Sequence, residues 1–200
     1  TGRGRNGGPD AFNKHLYMND LSVGIARDEA PLREGLLYAG TDDGLIQVSE
    51  NGGRTWRSMG TFPGVPDVTL VSKVLAARHD TNTVYAAFNN MLRGDFHPYV
   101  LKSTDRGRTW TSIRGNLPER DQVWSLAEDH VNRNILFAGT EHGAYVTLDG
   151  GGSWQPLRAG LPSVAVRDVQ IQRRENDLVL ATFGRGIYII DDYSPLRTLA

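Results

Sequence analysis

Four short segments of the chain carry the side chains able to do chemistry: Asp42 and Asp43, the Asn89–Pro98 stretch with Asp95 and His97, Glu141 with His142, and Arg185. Two carboxyl groups about 5–9.5 Å apart across a glycosidic bond can act as acid and base or as acid and nucleophile. Asp42 or Asp43 with Asp95 or Glu141 supplies candidate pairs. Turn chemistry competes and is the stronger reading, because Asp-Asp-Gly is an ordinary hairpin sequence and exposed carboxylates are usually solvated. The five histidines do not fall at the spacing of a metal site, which needs three or four converging ligands. Asp42 and Asp43 lack the flanking pattern of a calcium loop. Gly184-Arg185-Gly186 has no helix after it, so it is no phosphate loop. Neither a metal nor a cofactor is expected. Trp124 can stack on a sugar or an aliphatic side chain, with packing between sheets as its competing role. Arg167-Asp168 is either an internal ion pair or a polar ligand contact.

What positions these segments is a repeated octapeptide. Ser103 to Trp110 has the form S-x-D-x-G-x-T-W; Ser49 to Trp56 reads SENGGRTW, with Asn51 in place of the Asp; Thr147 to Trp154 reads TLDGGGSW. Asp105, Asn51 or Asp149 can accept turn amides, and Gly107, Gly53 or Gly151 can take positive φ. The hydroxyls of Ser103 and Ser49 can satisfy further amides. Trp56, Trp110 and Trp154 then open the next strand as apolar anchors. The three Trp are separated by 54 and 44 residues, close to the period of a four-stranded propeller blade. Small-residue strands recur in step at 37–41, 84–88, 136–140 and 179–183, each short and apolar enough to be buried on both faces. Asn89 to Pro98 is the long exception among otherwise tight connections between second and third strands.

The octapeptide is similar to the Asp box, or BNR repeat, of sialidase-like and sortilin-like β-propellers. The flanking Gly40-Thr41-Asp42-Asp43-Gly44, Ala138-Gly139-Thr140-Glu141-His142-Gly143 and Ala181-Thr182-Phe183-Gly184-Arg185-Gly186 resemble the last blades of bacterial sortilin-type propeller proteins, over about residues 20–197. The resemblance implies an all-β propeller fragment of about four four-stranded antiparallel blades, at about 19–60, 61–115, 116–160 and 161–200. Residues 1–18 would be a linker or loop remnant. It also implies a non-catalytic scaffold recognising a protein, peptide or carbohydrate ligand at the channel-facing rim, with Asp42, Asp43, Asp95, His97, Glu141, His142, Arg185 and Trp124 on that surface. The alternative it offers is a xyloglucanase-like glycoside hydrolase with a carboxylate acid/base pair. A sialidase is disfavoured, since no triad of arginines can be assigned. Export from the cell follows from the same resemblance. Too few blades are present for the usual ring, so the missing ones are expected from the same gene, another chain or a symmetry mate.

Composition excludes other classes. Twenty-two basic residues against 23 acidic ones leave nothing to attract nucleic acid or an anionic membrane. Cysteine is absent, which removes disulfides and thiolate metal sites. No apolar run approaches the roughly 18 residues of a membrane helix. The opening GRGRNGG is read as linker rather than as an RNA-binding tail.

Overall fold

A computed structural model describes residues 24–158 and 160–200. The expected linker at 1–18 and the expected start of the first strand at Leu21 lie outside the described residues. Strands β1 (Gly24–Glu29), β2 (Leu37–Thr41), β3 (Ile46–Ser49) and β4 (Arg57–Met59) form one antiparallel sheet in chain order. β5 (Leu70–Ala76), β6 (Val84–Asn90), β7 (Asp95–Ser103) and β8 (Thr111–Ser112) form the second, and β9 (Val123–Glu128), β10 (Leu136–Thr140), β11 (Ala144–Thr147) and β12 (Trp154–Pro156) the third. The fourth has three strands, β13 (Val166–Gln172), β14 (Asp177–Thr182) and β15 (Ile187–Ile190). The first strands of successive sheets lie side by side, β1 against β5, β5 against β9 and β9 against β13. These are the blades of a β-propeller segment.

Each apolar core lies between two blades. The first joins Tyr38, Ile46 and Val48 of blade one to Val71, Val74 and Phe88 of blade two. The second joins Tyr85 and Val100 to Leu126 and Leu136, and the third joins Phe137 and Val146 to Val169 and Leu178. The small residues of the second strands are what let the sheets approach. A Cβ built on Gly40 would meet Val71 Cγ1 at 2.4 Å, and one on Gly139 would meet the Val166 carbonyl at 2.6 Å. Alanine at either place would push two blades apart.

The octapeptide turns share one hydrogen-bond pattern. Ser103 Oγ donates to Asp105 Oδ1 at 2.7 Å and accepts from Gly107 N–H at 2.8 Å. Asp105 accepts from the backbones of Arg108 (2.9 Å) and Thr109 (2.8 Å) and from the Thr109 hydroxyl (2.6 Å). Burial pushes its carboxyl up, and these donors outweigh that and hold it below the usual range. In blade one Ser49 accepts from Gly53 N–H and Asn51 from Thr55 N–H; in blade three Thr147 and Asp149 do the same for Gly151 and Ser153. The N–H of the fourth residue hooks the turn to the β1–β2 type connection of its own blade: Gly52 to Gly35, Arg106 to Asn82, Gly150 to Asn134. That residue also has positive φ, so the turn has two consecutive left-handed positions rather than the one expected. Arg106 tolerates φ 60° there because its guanidinium is tied to Asn82 and Glu50.

Trp110 and Trp154 pack toward the preceding blade. Trp110 meets Phe62 edge-on at 5.7 Å in the core between blades one and two, and Trp154 is fully buried between blades two and three. Trp56 is half-buried, since no blade precedes the first among the described residues. At the other end the β14–β15 turn and β15 leave Phe183, Ile187 and Ile189 exposed.

Blade four keeps more of the turn than its sequence suggests. Tyr193 N–H bonds the Asn176 carbonyl at 2.9 Å, the hook made elsewhere by the fourth octapeptide residue. Asp192 then occupies the third position and Ile190 the first, where no hydroxyl is available. Asp192 accepts from Ser194 N–H instead, and the chain enters a short 3-10 helix over Ser194–Thr198. Tyr193 packs edge-on against Phe137 at 5.0 Å. Its hydroxyl and the Arg197 guanidinium both close on the buried Asp129 of blade three.

Candidate functional site

The two ends of the blades differ. The octapeptide turns and the connections from first to second strands lie at one end. The turns between second and third strands lie at the other, beside the starts of the inner strands. There the Glu141 N–H bonds the Gln122 carbonyl, and the Phe183 N–H bonds the Ala165 carbonyl. This second end is the rim on which the candidate residues were expected.

All four inner strands are bulged near their start, at equivalent positions. Pairing skips one residue each between Gly24 and Ala26, Val71 and Lys73, Val123 and Ser125, and Val166 and Asp168. A bulge takes its residue out of the alternation and re-aims the side chain. Two of the skipped residues are Trp124 and Arg167, and they meet. The Arg167 guanidinium carbon sits 3.6 Å from the Trp124 ring centroid and 5.2 Å from that of Phe183, linking blades three and four. Glu141 completes the group: its carboxylate accepts from Trp124 Nε1–H at 2.8 Å and Gln122 Nε2–H at 3.3 Å, and lies 3.8 Å from Arg167.

Beside this group is a cavity of about 430 Å³ lined by Met91, Phe96, Arg120, Gln122, Glu141 and His142. Three buried polar atoms at this end of the blades, Asn89 Nδ2, Gln122 Oε1 and Arg167 Nε, have no hydrogen-bond partner. Such a group costs about 1–3 kcal/mol if left unsatisfied. Glu141 is the one carboxylate in the cavity lining, so the described residues bring no second acid opposite it. Among them, no cluster of three His, Cys, Asp or Glu side chains is placed to hold a metal ion.

The expected rim residues divide into two groups. Glu141 and His142 line the cavity, and Trp124 reaches it through Glu141. His142 is fixed by the buried Asp121, which accepts from its backbone N–H at 3.0 Å and lies 3.1 Å from Nδ1. Asp43 and Asp95 instead serve their own turns. Asp43 accepts from the Thr41 hydroxyl. Asp95 accepts from Asn90 Nδ2–H, Tyr99 O–H and His97 N–H. Burial pushes its carboxyl up, and these donors bring it below the ordinary value. Asp42 shares the blade-one turn and does not line the cavity. His97 pairs with Glu119 at 2.6 Å, and Arg185 is exposed on the β14–β15 turn without an ion pair among the described residues.

Three expectations need correction. Asn89–Pro98 is not a long loop: β6 and β7 extend through it as a hairpin closed by Met91–Arg93. Arg167 and Asp168 form no pair with each other, for Arg167 stacks on Trp124 while Asp168 accepts from Ser125 Oγ and lies 3.6 Å from Lys73. Trp124 is neither core nor an open platform, since Arg167 covers its ring. Gln122 and Met91 were missed. The adjacency of Gln122 to Trp124 was the available signal, and a bulge leaves none in the sequence.

The fold and rim define a segment of β-propeller with a polar-aromatic cavity between blades two and three. No family model matches the chain. It is 30% identical over 138 residues to a xyloglucanase of Hypocrea jecorina (strain QM6a), covering 60% of this chain and 16% of that protein. It is 34% identical over 91 residues to the xyloglucanase Xgh74A of Acetivibrio thermocellus, covering 40% and 11%. The chain thus spans less than a fifth of the length of these curated relatives. Among solved structures it is similar to an ancestral GH74 enzyme (TM-score 0.64, 17% identity, 84% of this chain and 24% of that one). It is also similar to YCF48 bound to D1 peptide (TM-score 0.61, 14% identity, 86% and 52%). At these identities the structural likenesses speak for the fold alone.

Proposed function

We propose that the chain contributes four blades to a larger Asp-box, sortilin-like propeller that recognises an extended peptide or glycan at the rim, without bond-breaking chemistry of its own. The observation carrying this reading is the buried, unpartnered Gln122 Oε1 in the wall of a cavity flanked by Met91, Phe96 and the Trp124–Arg167–Phe183 stack. Ligand hydroxyls or amides would satisfy it, and apolar or sugar faces would cover the side chains around it. The half-buried Trp56 and the exposed Phe183, Ile187 and Ile189 support further blades beside the first and fourth, from the same gene, another chain or a second copy. The blade limits at about 19–60, 61–115, 116–160 and 161–200, and export from the cell, belong to the same proposal.

A second reading is a xyloglucanase-like hydrolase, favoured by the two relatives named above. It requires a carboxylate from outside the described residues to face Glu141. Titrating the full-length gene product with xyloglucan oligosaccharides and with a peptide panel, while assaying for reducing ends, separates the two. Recognition predicts saturable binding without cleavage. It also predicts that Trp124→Ala and Met91→Ala lose affinity at unchanged melting temperature. Cleavage abolished by Glu141→Gln would replace the recognition reading with the hydrolase. Unchanged affinity in both variants would remove the rim from consideration.

A further inference from the structure

The end of the blades opposite the rim holds a second cavity, of about 290 Å³, to which all four inner strands contribute. Its lining is dominated by cations. Arg78 follows β5 and Arg173 follows β13, and Arg27 and Lys73 line the cavity with them, against two carboxylates, Asp28 and Glu128; His130 also lines it, lowered by burial below the ordinary imidazole value. The carboxylates are already used as staples between blades. Asp28 accepts from the backbones of Glu29 and Ala76, and Glu128 accepts from the Arg78 N–H and, at 3.1 Å, from the Tyr85 hydroxyl. Burial pushes both carboxyls up, despite these donors. Lys73 is turned to Asp168 at 3.6 Å.

Arg78 and Arg173 are left over. Neither guanidinium has a hydrogen bond or an ion pair among the described residues. Burial, and then the charge of Arg173, depress Arg78 below the ordinary arginine value, while the charges of Asp28 and Glu128 act the other way. Four cations against two carboxylates in one concave site leave a surplus of positive charge that a bound anion would offset. A guanidinium offers a planar fork of N–H donors, and two forks match the oxygens of a tetrahedral anion.

We propose that this channel mouth binds a phosphate group between Arg78 and Arg173, independently of the rim. The cavity is larger than the anion itself, leaving room for the alcohol of a phosphate ester. The source is therefore either inorganic phosphate or a phosphorylated small molecule. The full-length protein is titrated with inorganic phosphate and with glucose 6-phosphate, and melted in each against chloride at equal ionic strength. Saturable binding and a raised melting temperature with phosphate but not chloride are expected. Loss of each guanidinium should weaken phosphate about tenfold, as removal of one charge-assisted pair does. Arg173→Gln tests this at an exposed side chain, where the fold is not at stake, and Arg78→Gln/Arg173→Gln should abolish the response. Trp124→Ala should leave phosphate binding unchanged, so failure at the rim and failure here are distinguishable. Tighter binding of the ester assigns the site to phosphorylated ligands, and equal binding assigns it to the free anion. A response that follows ionic strength alone, or a double variant that binds as the wild type does, overturns the proposal.

Discussion

Replacing Asp129 by asparagine keeps the shape of the clamp between blades three and four and removes its charge. The side chain has no exposed surface, and five donors reach it. Arg197 provides two (2.7 and 3.0 Å), the Tyr193 hydroxyl one (2.6 Å), and the backbones of Val131 (3.1 Å) and Asn132 (2.7 Å) the others. Burial alone would raise the carboxyl; the Arg197 and Tyr193 contacts outweigh it and bring it from 3.8 to about 2. A folded-state pKa depressed in this way stabilises the native state above the unfolded value and is lost as pH falls toward the folded one. The interval of about 1.8 pH units corresponds to about 2.5 kcal/mol. The substitution leaves Arg197 facing a neutral amide, and breaking a buried pair from one side costs about 3–5 kcal/mol. Urea unfolding of the full-length protein and of Asp129→Asn, from about pH 7 down to about pH 2, is the assay. The stability gap should be about 3–5 kcal/mol at neutral pH and narrow by about 2.5 kcal/mol between about pH 4 and pH 2. A gap that is constant with pH, or negligible at pH 7, would refute the clamp as an electrostatic tie.

The octapeptide turn and its Trp make further predictions. Asp105→Ala removes the acceptor of four hydrogen bonds at a partly exposed turn and should cost about 1–2 kcal/mol, as loss of a side-chain cap does; a melt unchanged within error would contradict it. Trp110→Ala should cost about 3–5 kcal/mol because its ring fills the core between blades one and two. In the same chemical-denaturation assay the half-buried Trp56 should cost about 1–2 kcal/mol when truncated. Equal losses at the two positions would mean that Trp56 is as fully covered as Trp110.

The parts of the molecule legible in the sequence are those made of local bonds and repeated. Ser103, Asp105, Gly107 and Trp110 satisfy one another within eight residues, so spacing alone identifies the turn. The second strands announce themselves because blades meet across Gly40 and Gly139, where a side chain has no room. Blade four hides the same turn because its retained hook, Tyr193 N–H to the Asn176 carbonyl, uses only backbone and leaves no side-chain signature. Ile190 in place of a hydroxyl then diverts the chain into a 3-10 helix. The Asp129 clamp was out of reach for a different reason: Tyr193 and Arg197 lie 64 and 68 residues away.

The rim was half legible, and the reason is geometric. Its turns could be placed on one face because they occupy one position in successive blades, but which side chains meet there depends on the bulges. Strict alternation along β13 would set Arg167 and Asp168 on opposite faces, and a local pair between them was a reasonable expectation only if the strand bent. It does bend, and the bulge sends Arg167 onto Trp124 of blade three while Asp168 reaches toward Lys73 of blade two. Asp95 is drawn into its own hairpin by the same kind of step. Continued strand pairing converts its expected loop into a hairpin, and Asn90, Tyr99 and the His97 N–H then use both carboxylate oxygens. Contacts between neighbouring blades, rather than the repeat itself, therefore select the residues left open to a ligand.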